Sequence, residues 1–513
     1  MNPDDIFKKL ENYYSKRIGM KLFKNCFRKN QTNGETSLEI TKAFEIHSKY
    51  FYSKTVKNIL LLGTLLTFFL HPSKVSAVNS EKLVKHKKPN IVLFLVDDLG
   101  YGDVGCYGSK ISTPNINQLA SEGMRFTDFH TNGPMSSPTR AALLTGIYQQ
   151  RLGERFEGPL SAKRRDKGFT PKISTIADIL KQTGYVTGKY GKWHLGFDKP
   201  YIPNNYGFDE FIGLHSGDGD HHTHINRWGE KDWWHNKELN MENGYSVDLI
   251  TNHSIDFIED HQNEPFFLYV SHLAIHFPWQ GPDDPPHRQA DHNYEDDKWG
   301  IIENKDNVRP HVKSMIQAVD QSLGKIVNKL RQLDLEKETL VFFTSDNGGY
   351  IHYAHEFHNI SSNGPLRGQK GQVFEGGHRV PAIAWWPGKI VAGTEYDEPV
   401  MTMDFYPTFA ELAGARIPEE KNIDGVNILP VLLKSKTLPE RTLFWKIGEE
   451  WAVRKGPWKL VESENEKFLF NLKNDIEEEI DISSEHPELV KELTKKYQNW
   501  KQEVSLYAEK WRE

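Results

Sequence analysis

The chain has 513 residues, 37% of them hydrophobic and 26% charged, and a formal net charge of −6 at pH 7. This length holds one large domain plus a smaller one, and the composition is that of a globular protein, neither disordered nor embedded in a bilayer. The mild charge and the lack of a basic block with interleaved aromatics argue against a nucleic-acid partner, and two cysteines, Cys26 and Cys106, exclude a disulfide framework.

The first feature along the chain is the apolar run Ile59–Leu70, preceded by Lys54 and Lys57 and followed by Val75-Ser76-Ala77. It is short for a bilayer span and has the layout of a signal-peptide core with small residues at a cleavage site. Residues 1–77 therefore read as a leader with a signal-like part at 59–77, and the mature protein as periplasmic or secreted. The polar sequence in front of the run means either that translation starts later, at Met20 for example, or that the leader is atypical. An uncleaved membrane anchor and a buried core helix are the other readings of the run.

From Pro89 onward strand-like runs alternate with helical patterns, the mark of α/β architecture. Ile91–Val96 is a continuous apolar strand of the kind covered on both faces. Thr113-Pro114 opens a helix that Gly123 closes, and a second helix runs from about Ser174 to Lys181 before Gly184. Tyr185–Thr187 and Phe266–Val270 read as strands. A long amphipathic helix carries Met315, Val319, Leu323, Ile326 and Leu330 on one face, and Leu340–Thr344 is a further buried strand. The catalytic domain is expected over 88–415 and a smaller α+β subdomain over 416–513. In the latter, Leu443–Trp445, Trp451–Val453, Trp458–Val461 and Phe468–Phe470 form a small antiparallel sheet, and a helix from about His486 to Lys510 packs on it. Gly213–Asn243 and Gly281–Asp306 show no regular element; loops this long are usually functional or disordered.

Asp97-Asp98 follows the first buried strand directly, and Asp346-Asn347 follows the strand at Leu340 in the same way. Ligands bind beyond the carboxyl ends of strands in such sheets, and buried carboxylates need a cation or a partner. Together the four residues offer a hard-oxygen site suited to Ca²⁺ or Mg²⁺. The run Ser136-Ser137-Pro138-Thr139-Arg140-Ala141-Ala142-Leu143-Leu144-Thr145-Gly146 is a polar loop entering a helix. Such a loop aims backbone N–H groups and the positive helix end at an anion, and Arg140 adds a permanent charge. Lys192 and His194 lie two residues apart and would point the same way in an extended segment. His276 follows a strand and precedes a proline-bounded loop, and Lys370 sits in a glycine-rich loop. The stretch from Gly217 to His224, with Trp228, Trp233 and Trp234 nearby, reads as a sugar subsite; His221, His222 and Trp233 are its candidate contacts, and Arg367 is placed with them.

These motifs resemble, in the same order, those of the type I, formylglycine-dependent sulfatases of the alkaline-phosphatase-like superfamily. The likeness also takes in Glu375–Pro381, Asp424-Gly425-Val426 and Leu469–Asp475. The resemblance implies a large mixed, mostly parallel sheet flanked by helices, with a small C-terminal antiparallel sheet plus helix. It implies that a maturation enzyme oxidises Ser136 to formylglycine (3-oxoalanine), whose hydrate attacks the sulfate sulfur. It also implies that Asp97, Asp98, Asp346, Asn347 and position 136 hold one Ca²⁺, with Mg²⁺ the lesser choice. Arg140, Lys192, His276 and Lys370 would surround the sulfate. His276 or Lys370 would protonate the leaving oxygen, and His194 would deprotonate the second hydroxyl. Serine stands at 136 where many members carry cysteine, which implies a maturation route typical of bacteria. The implied substrate is a sulfated carbohydrate, such as an algal polysaccharide of the ulvan kind. Two alternatives stay open: a phosphomonoester or phosphonate hydrolase of the same fold using Ser136 directly, and a non-catalytic glycan-binding protein with an unmodified serine.

Overall fold

The computed structural model describes residues 88–508 except 162, 170–172, 420 and 435; the leader, its signal-like segment and Cys26 lie outside the described residues. The apolar run after Pro89 forms β1 (Asn90–Val96), buried at every residue. It is the middle of a ten-stranded sheet. On one side lie β9 (Thr339–Ser345), β10 (Ala382–Trp385), β2 (Met124–Phe126) and β11 (Thr394–Tyr396); on the other lie β8 (Phe266–Ser271), β4 (Val186–Gly191), β5 (Glu210–Gly213), β6 (Trp234–His235) and β7 (Glu238–Leu239). The central run β9-β1-β8-β4-β5 is parallel. β10 and the terminal hairpin β6–β7 run antiparallel to their neighbours. β3 (Phe129–His130) and β12 (Val400–Met401) make a separate two-stranded pair.

The pleat of β1 sends Ile91, Leu93 and Leu95 into one core and Val92, Phe94 and Val96 into another. Against the first core pack α2 (Ser136–Thr145), α3 (Ile176–Gln182), α7 (Phe405–Ala413) and α8 (Leu429–Lys434). Against the second pack α1 (Pro114–Glu122), α4 (Ser246–Asp260) and α5 (Arg309–Gln332). The expected apolar face of α5, Met315 to Leu330, is buried throughout. α6 (Glu375–His378) is a single buried turn. β13 (Thr442–Ile447), β14 (Glu450–Lys455), β15 (Trp458–Ser463) and β16 (Glu466–Asn471) form an antiparallel sheet over a third core, covered by α9 (Pro487–Ala508) through Leu493, Tyr497 and Trp500. Among the described residues no helix is long and apolar enough to cross a membrane.

Three local readings change. α3 starts at Ile176, two residues after Ser174, because Thr175 is its cap: its hydroxyl accepts from the Asp178 N–H, and the Asp178 carboxylate accepts from the Thr175 N–H at 2.8 Å. β4 runs on to Gly191, taking in Lys189, whose ammonium is buried over the Tyr269 ring and donates to the Lys192 carbonyl at 2.7 Å. Within Gly213–Asn243 the chain forms the β6–β7 hairpin, whose two-residue strands are too short to leave a periodic signal.

Candidate active site

Strand register assembles the site. In the parallel pair β1–β9, Val96 is level with Ser345, so Asp97-Asp98 and Asp346-Asn347 leave the sheet side by side. Two bonds lock the exits: the Asp346 N–H donates to the Val96 carbonyl at 3.1 Å and the Asp98 N–H to Asp346 Oδ1 at 3.2 Å. β8 lies on the other flank of β1, and the Ile275 N–H donates to the Asp97 carbonyl at 2.7 Å, which brings His276 alongside. From β4, Lys192 continues with its N–H on the Ser271 carbonyl at 2.9 Å. The loop carrying Lys370 is fixed at two points, Lys370 N–H to the Gly349 carbonyl and Gly371 N–H to the Pro134 carbonyl. Ser136 is the first residue of α2, a helix buried over its full length.

The charged groups interlock. The Ser136 hydroxyl donates to Asp97 Oδ1 at 2.9 Å and lies 3.4 Å from Asn347 Oδ1. The Lys192 ammonium is 3.3 Å from Ser136 Oγ and also bonds the Asp97 carboxylate. Lys370 donates to Asp98 Oδ1 at 2.6 Å. Arg140 grips Asp346 through Nε (2.9 Å) and Nη2 (2.7 Å) and donates from Nη1 to Ser271 Oγ at 2.5 Å. His276 Nε2 is 4.0 Å from Asp98 Oδ2, while its Nδ1 bonds the Phe277 carbonyl at 2.7 Å.

Burial and crowding set the protonation states. Burial, with Asp346 beside it, pushes the Asp97 carboxyl up despite Lys192. Burial would raise Asp346 too, but Arg140, Lys192 and Lys370 outweigh it and hold that carboxyl low. Burial lowers Lys192, whereas Lys370, equally buried, is raised because Asp98 overrides the desolvation cost. Burial, followed by Lys192, drives His194 well below the usual histidine range; burial with Lys370 and Lys192 does the same to His276. Both imidazoles are therefore neutral at pH 7. His194 Nε2 bonds the Leu160 carbonyl at 3.0 Å, and its Nδ1 is buried with no hydrogen-bond partner. That makes Nδ1 the open acceptor of a neutral ring.

The residues fit a hard divalent cation. Ligand oxygens of Asp97, Asp98 and Asp346 lie within 4.8 Å of one another, all three residues are buried, and Asp98 Oδ2 has no hydrogen-bond donor. An all-oxygen donor set of this charge suits Ca²⁺ or Mg²⁺. Asn347 currently donates its amide N–H to Asp98 Oδ1 at 2.8 Å, leaving Oδ1 toward Ser136.

A cleft of ≈ 250 Å³ opens onto Ser136, His194, His276 and Lys370. Its lining also includes Asp218, Arg227, Trp228, Phe277, Tyr350 and Tyr353. The expected sugar contacts are not among its lining residues. His221 is fully buried, with Nδ1 on Ser246 Oγ at 2.8 Å, and Trp233 is buried beneath His224. His222 bonds the Gly281 carbonyl at 3.2 Å. Arg367 lies over the Phe374 ring and donates to the Glu478 carbonyl at 2.7 Å. Around Lys192 and His194 the backbone leaves regular strand geometry at both ends, with Gly191 at φ 99° closing β4 and His194 at φ 57°, while the Trp193 and His194 N–H groups donate to the Leu214 and His215 carbonyls. Of the residues missed in sequence, Tyr350 was findable, since it directly follows Asp346-Asn347-Gly348-Gly349. Arg227, clamped by Asp218 at 3.0 Å, left no signal of its own.

The sequence model of the family described as Sulfatase matches residues 89–415. This chain belongs to the sulfatase family. As a sulfatase it is a sulfuric ester hydrolase on the alkaline-phosphatase-like fold, and residues 369–503 match the model for the N-sulphoglucosamine sulphohydrolase C-terminal region. The N-acetylgalactosamine-6-sulfatase of Mus musculus is 34% identical over 390 residues, covering 72% of this chain and 71% of that protein. Arylsulfatase A of Bos taurus is 34% identical over 409 residues, covering 72% and 74%. The crystal structure of Ps i-CgsB in complex with k-i-k-neocarrahexaose matches with a TM-score of 0.71 at 33% identity, over 81% of this chain and 93% of that one.

Proposed function

We propose that this sulfatase removes sulfate from a sulfated carbohydrate, and that Ser136 is converted to formylglycine by a maturation enzyme. One observation carries the reading: Ser136, bonded to Asp97 and close to Lys192, lines a cleft together with Lys370 and with aromatic and polar groups, beside the carboxylate cluster that Arg140 grips. Related proteins named for N-acetylgalactosamine-6-sulfate or crystallised with neocarrahexaose support a sugar as the substrate. Trp228, Tyr350, Tyr353 and Arg227 are the groups placed to meet its rings, in place of His221, His222 and Trp233. Ulvan oligosaccharides belong to the candidate class. The signal-like run Ile59–Leu70 supports action in the periplasm or outside the cell.

Ca²⁺ held by Asp97, Asp98, Asp346, Asn347 and position 136 would supply positive charge to a sulfate oxygen and acidify the attacking hydroxyl. Formylglycine hydrate supplies two hydroxyls on one carbon, one to attack sulfur and one whose deprotonation expels sulfate, a release that plain serine cannot provide. The remaining work falls to side chains. Arg140 fixes Asp346, and Lys192 and Lys370 flank the attacked group and oppose the charge spread over the sulfate oxygens. His194, neutral and with Nδ1 open, is placed to take a proton as general base. His276 is neutral with its Nδ1–H on the Phe277 carbonyl, so its Nε2 presents only an acceptor. The proton for the leaving alcohol is accordingly assigned to Lys370, which keeps its proton.

The test is a panel of defined sulfated oligosaccharides, an aryl sulfate and a phosphate monoester, assayed with protein matured in a competent host. The reading expects sulfate release from at least one oligosaccharide at a kcat/KM above that for the phosphate monoester. Faster phosphate release would favour the phosphohydrolase alternative, and no turnover of any ester by matured protein would favour the glycan-binding one.

A further inference from the structure

A second cluster of metal-ligating side chains stands at the far edge of the large sheet. His235 ends β6, Glu242 follows β7, and His253 lies midway along α4. Both imidazoles point Nε2 at the one carboxylate. His253 Nε2 is 2.9 and 3.0 Å from the two Glu242 oxygens, and His235 Nε2 bonds Oε1. The three ligand atoms lie within 4.8 Å of one another, and the side chains of His235, Glu242 and His253 are 29%, 23% and 22% exposed. The buried Trp233 indole donates to Glu242 Oε1 at 3.3 Å and holds the carboxylate in place. Among the described residues no lysine or arginine is paired with Glu242. None of the three residues lines the active-site cleft.

We propose that His235, Glu242 and His253 bind one Zn²⁺, with solvent completing the coordination. Two imidazoles and a carboxylate form the nitrogen–oxygen set that zinc favours, and the partial exposure leaves room for water in a fourth position. The hard-oxygen carboxylate cluster by Ser136 has a different donor set and would select a different ion. The ligands come from the edge hairpin and from α4, so the ion would pin the last two strands of the sheet to a helix of the core. That gives the site a structural role: β6 and β7 are two residues each and form the outermost strands of the sheet, and the ion would add a tie to α4 beyond their pairing with β5.

The experiment uses the full chain, stripped with a chelator and reloaded with excess Ca²⁺ so that the carboxylate cluster is occupied. Zn²⁺ is then titrated, with Co²⁺ as a parallel absorbance probe. One Zn²⁺ should bind per chain at or below about 10 µM and raise the thermal midpoint with the logarithm of ligand excess. Co²⁺ should give the visible bands of a low-symmetry nitrogen–oxygen site. His253→Gln and Glu242→Gln should each weaken Zn²⁺ binding by about 100-fold and abolish the zinc-dependent rise in midpoint, while keeping wild-type sulfatase activity. Asp346→Ala should retain the site. The wild-type Co²⁺ spectrum keeps the test decisive should either variant fail to fold. Zinc binding unchanged in both folded variants, or no zinc bound by the wild type at that concentration, overturns the assignment.

Discussion

A single added methyl group tests whether His194 is the general base. Gly217 lies against the His194 ring, and a Cβ built there would overlap its Cε1 and Nε2 atoms. Gly217 does not sit in the left-handed region, so Gly217→Ala adds no backbone strain; its whole effect acts on the ring. To restore ordinary contact the imidazole must move by about 1 Å, and a displacement of that size costs on the order of 10²-fold when it misplaces a reacting group. It would also break the 3.0 Å bond from His194 Nε2 to the Leu160 carbonyl, which fixes the tautomer. The stability cost should stay near the lower end of the ~1–3 kcal/mol seen for overpacking, because His194 borders the cleft and has somewhere to go. The assay is kcat on an aryl sulfate with matured protein, beside thermal unfolding and a His194→Ala reference. A loss of about 100-fold in kcat with a nearly unchanged midpoint is expected. A folded Gly217→Ala enzyme within twofold of wild type would refute the role given to His194.

Other expectations follow from the same geometry. Chelation should abolish turnover, restored by Ca²⁺, and Asp346→Ala should lose the ion and leave Arg140 buried without its partner, destabilising the fold by about 3–5 kcal/mol in calorimetry. If Lys370 protonates the leaving alcohol, Lys370→Ala should slow sugar sulfate hydrolysis at least about tenfold more than aryl sulfate hydrolysis, since an aryl leaving group needs less protonation; equal losses would return that role to His276. The third concerns Glu478, which shares Lys459 with Glu375 (2.9 and 2.8 Å) and is pushed by burial up to about 7. Its folded value lies above its unfolded one, so the folded state holds the extra proton and stability falls as pH rises from about 4.5 to 7, by up to about 3 kcal/mol. Glu478→Gln, which can still accept from the Glu375 N–H, should flatten that slope in denaturant titrations; an unchanged slope would remove Glu478 from the pH response.

The parts of the site legible in sequence were those tied to strand ends. Asp97-Asp98 and Asp346-Asn347 follow uninterrupted apolar runs, and the parallel register of β1 and β9 made adjacency in sequence pattern into adjacency in space. Ser136 to Gly146 was legible as a loop entering a helix. The His/Trp-rich stretch misled because composition does not reveal which face of a loop is inward. His221 has its ring nitrogens on Ser246 and the His276 carbonyl, and Trp233 anchors Glu242, so both serve packing. The cleft wall instead takes Asp218, Arg227 and Trp228 from the same stretch. Lys189 was hidden for a related reason: a lysine flanked by glycine and tyrosine reads as a strand end, while tertiary burial carries β4 two residues past it.

The central claim is that Ser136 becomes formylglycine and that turnover depends on it. Trypsin should release the peptide Phe126–Arg140, which contains position 136. In active protein its mass should be about 2 Da below that of the unmodified sequence, it should be captured by a hydrazide, and the converted fraction should scale with kcat across preparations matured to different extents. Full sulfatase activity in protein whose Phe126–Arg140 peptide carries only serine would contradict the account.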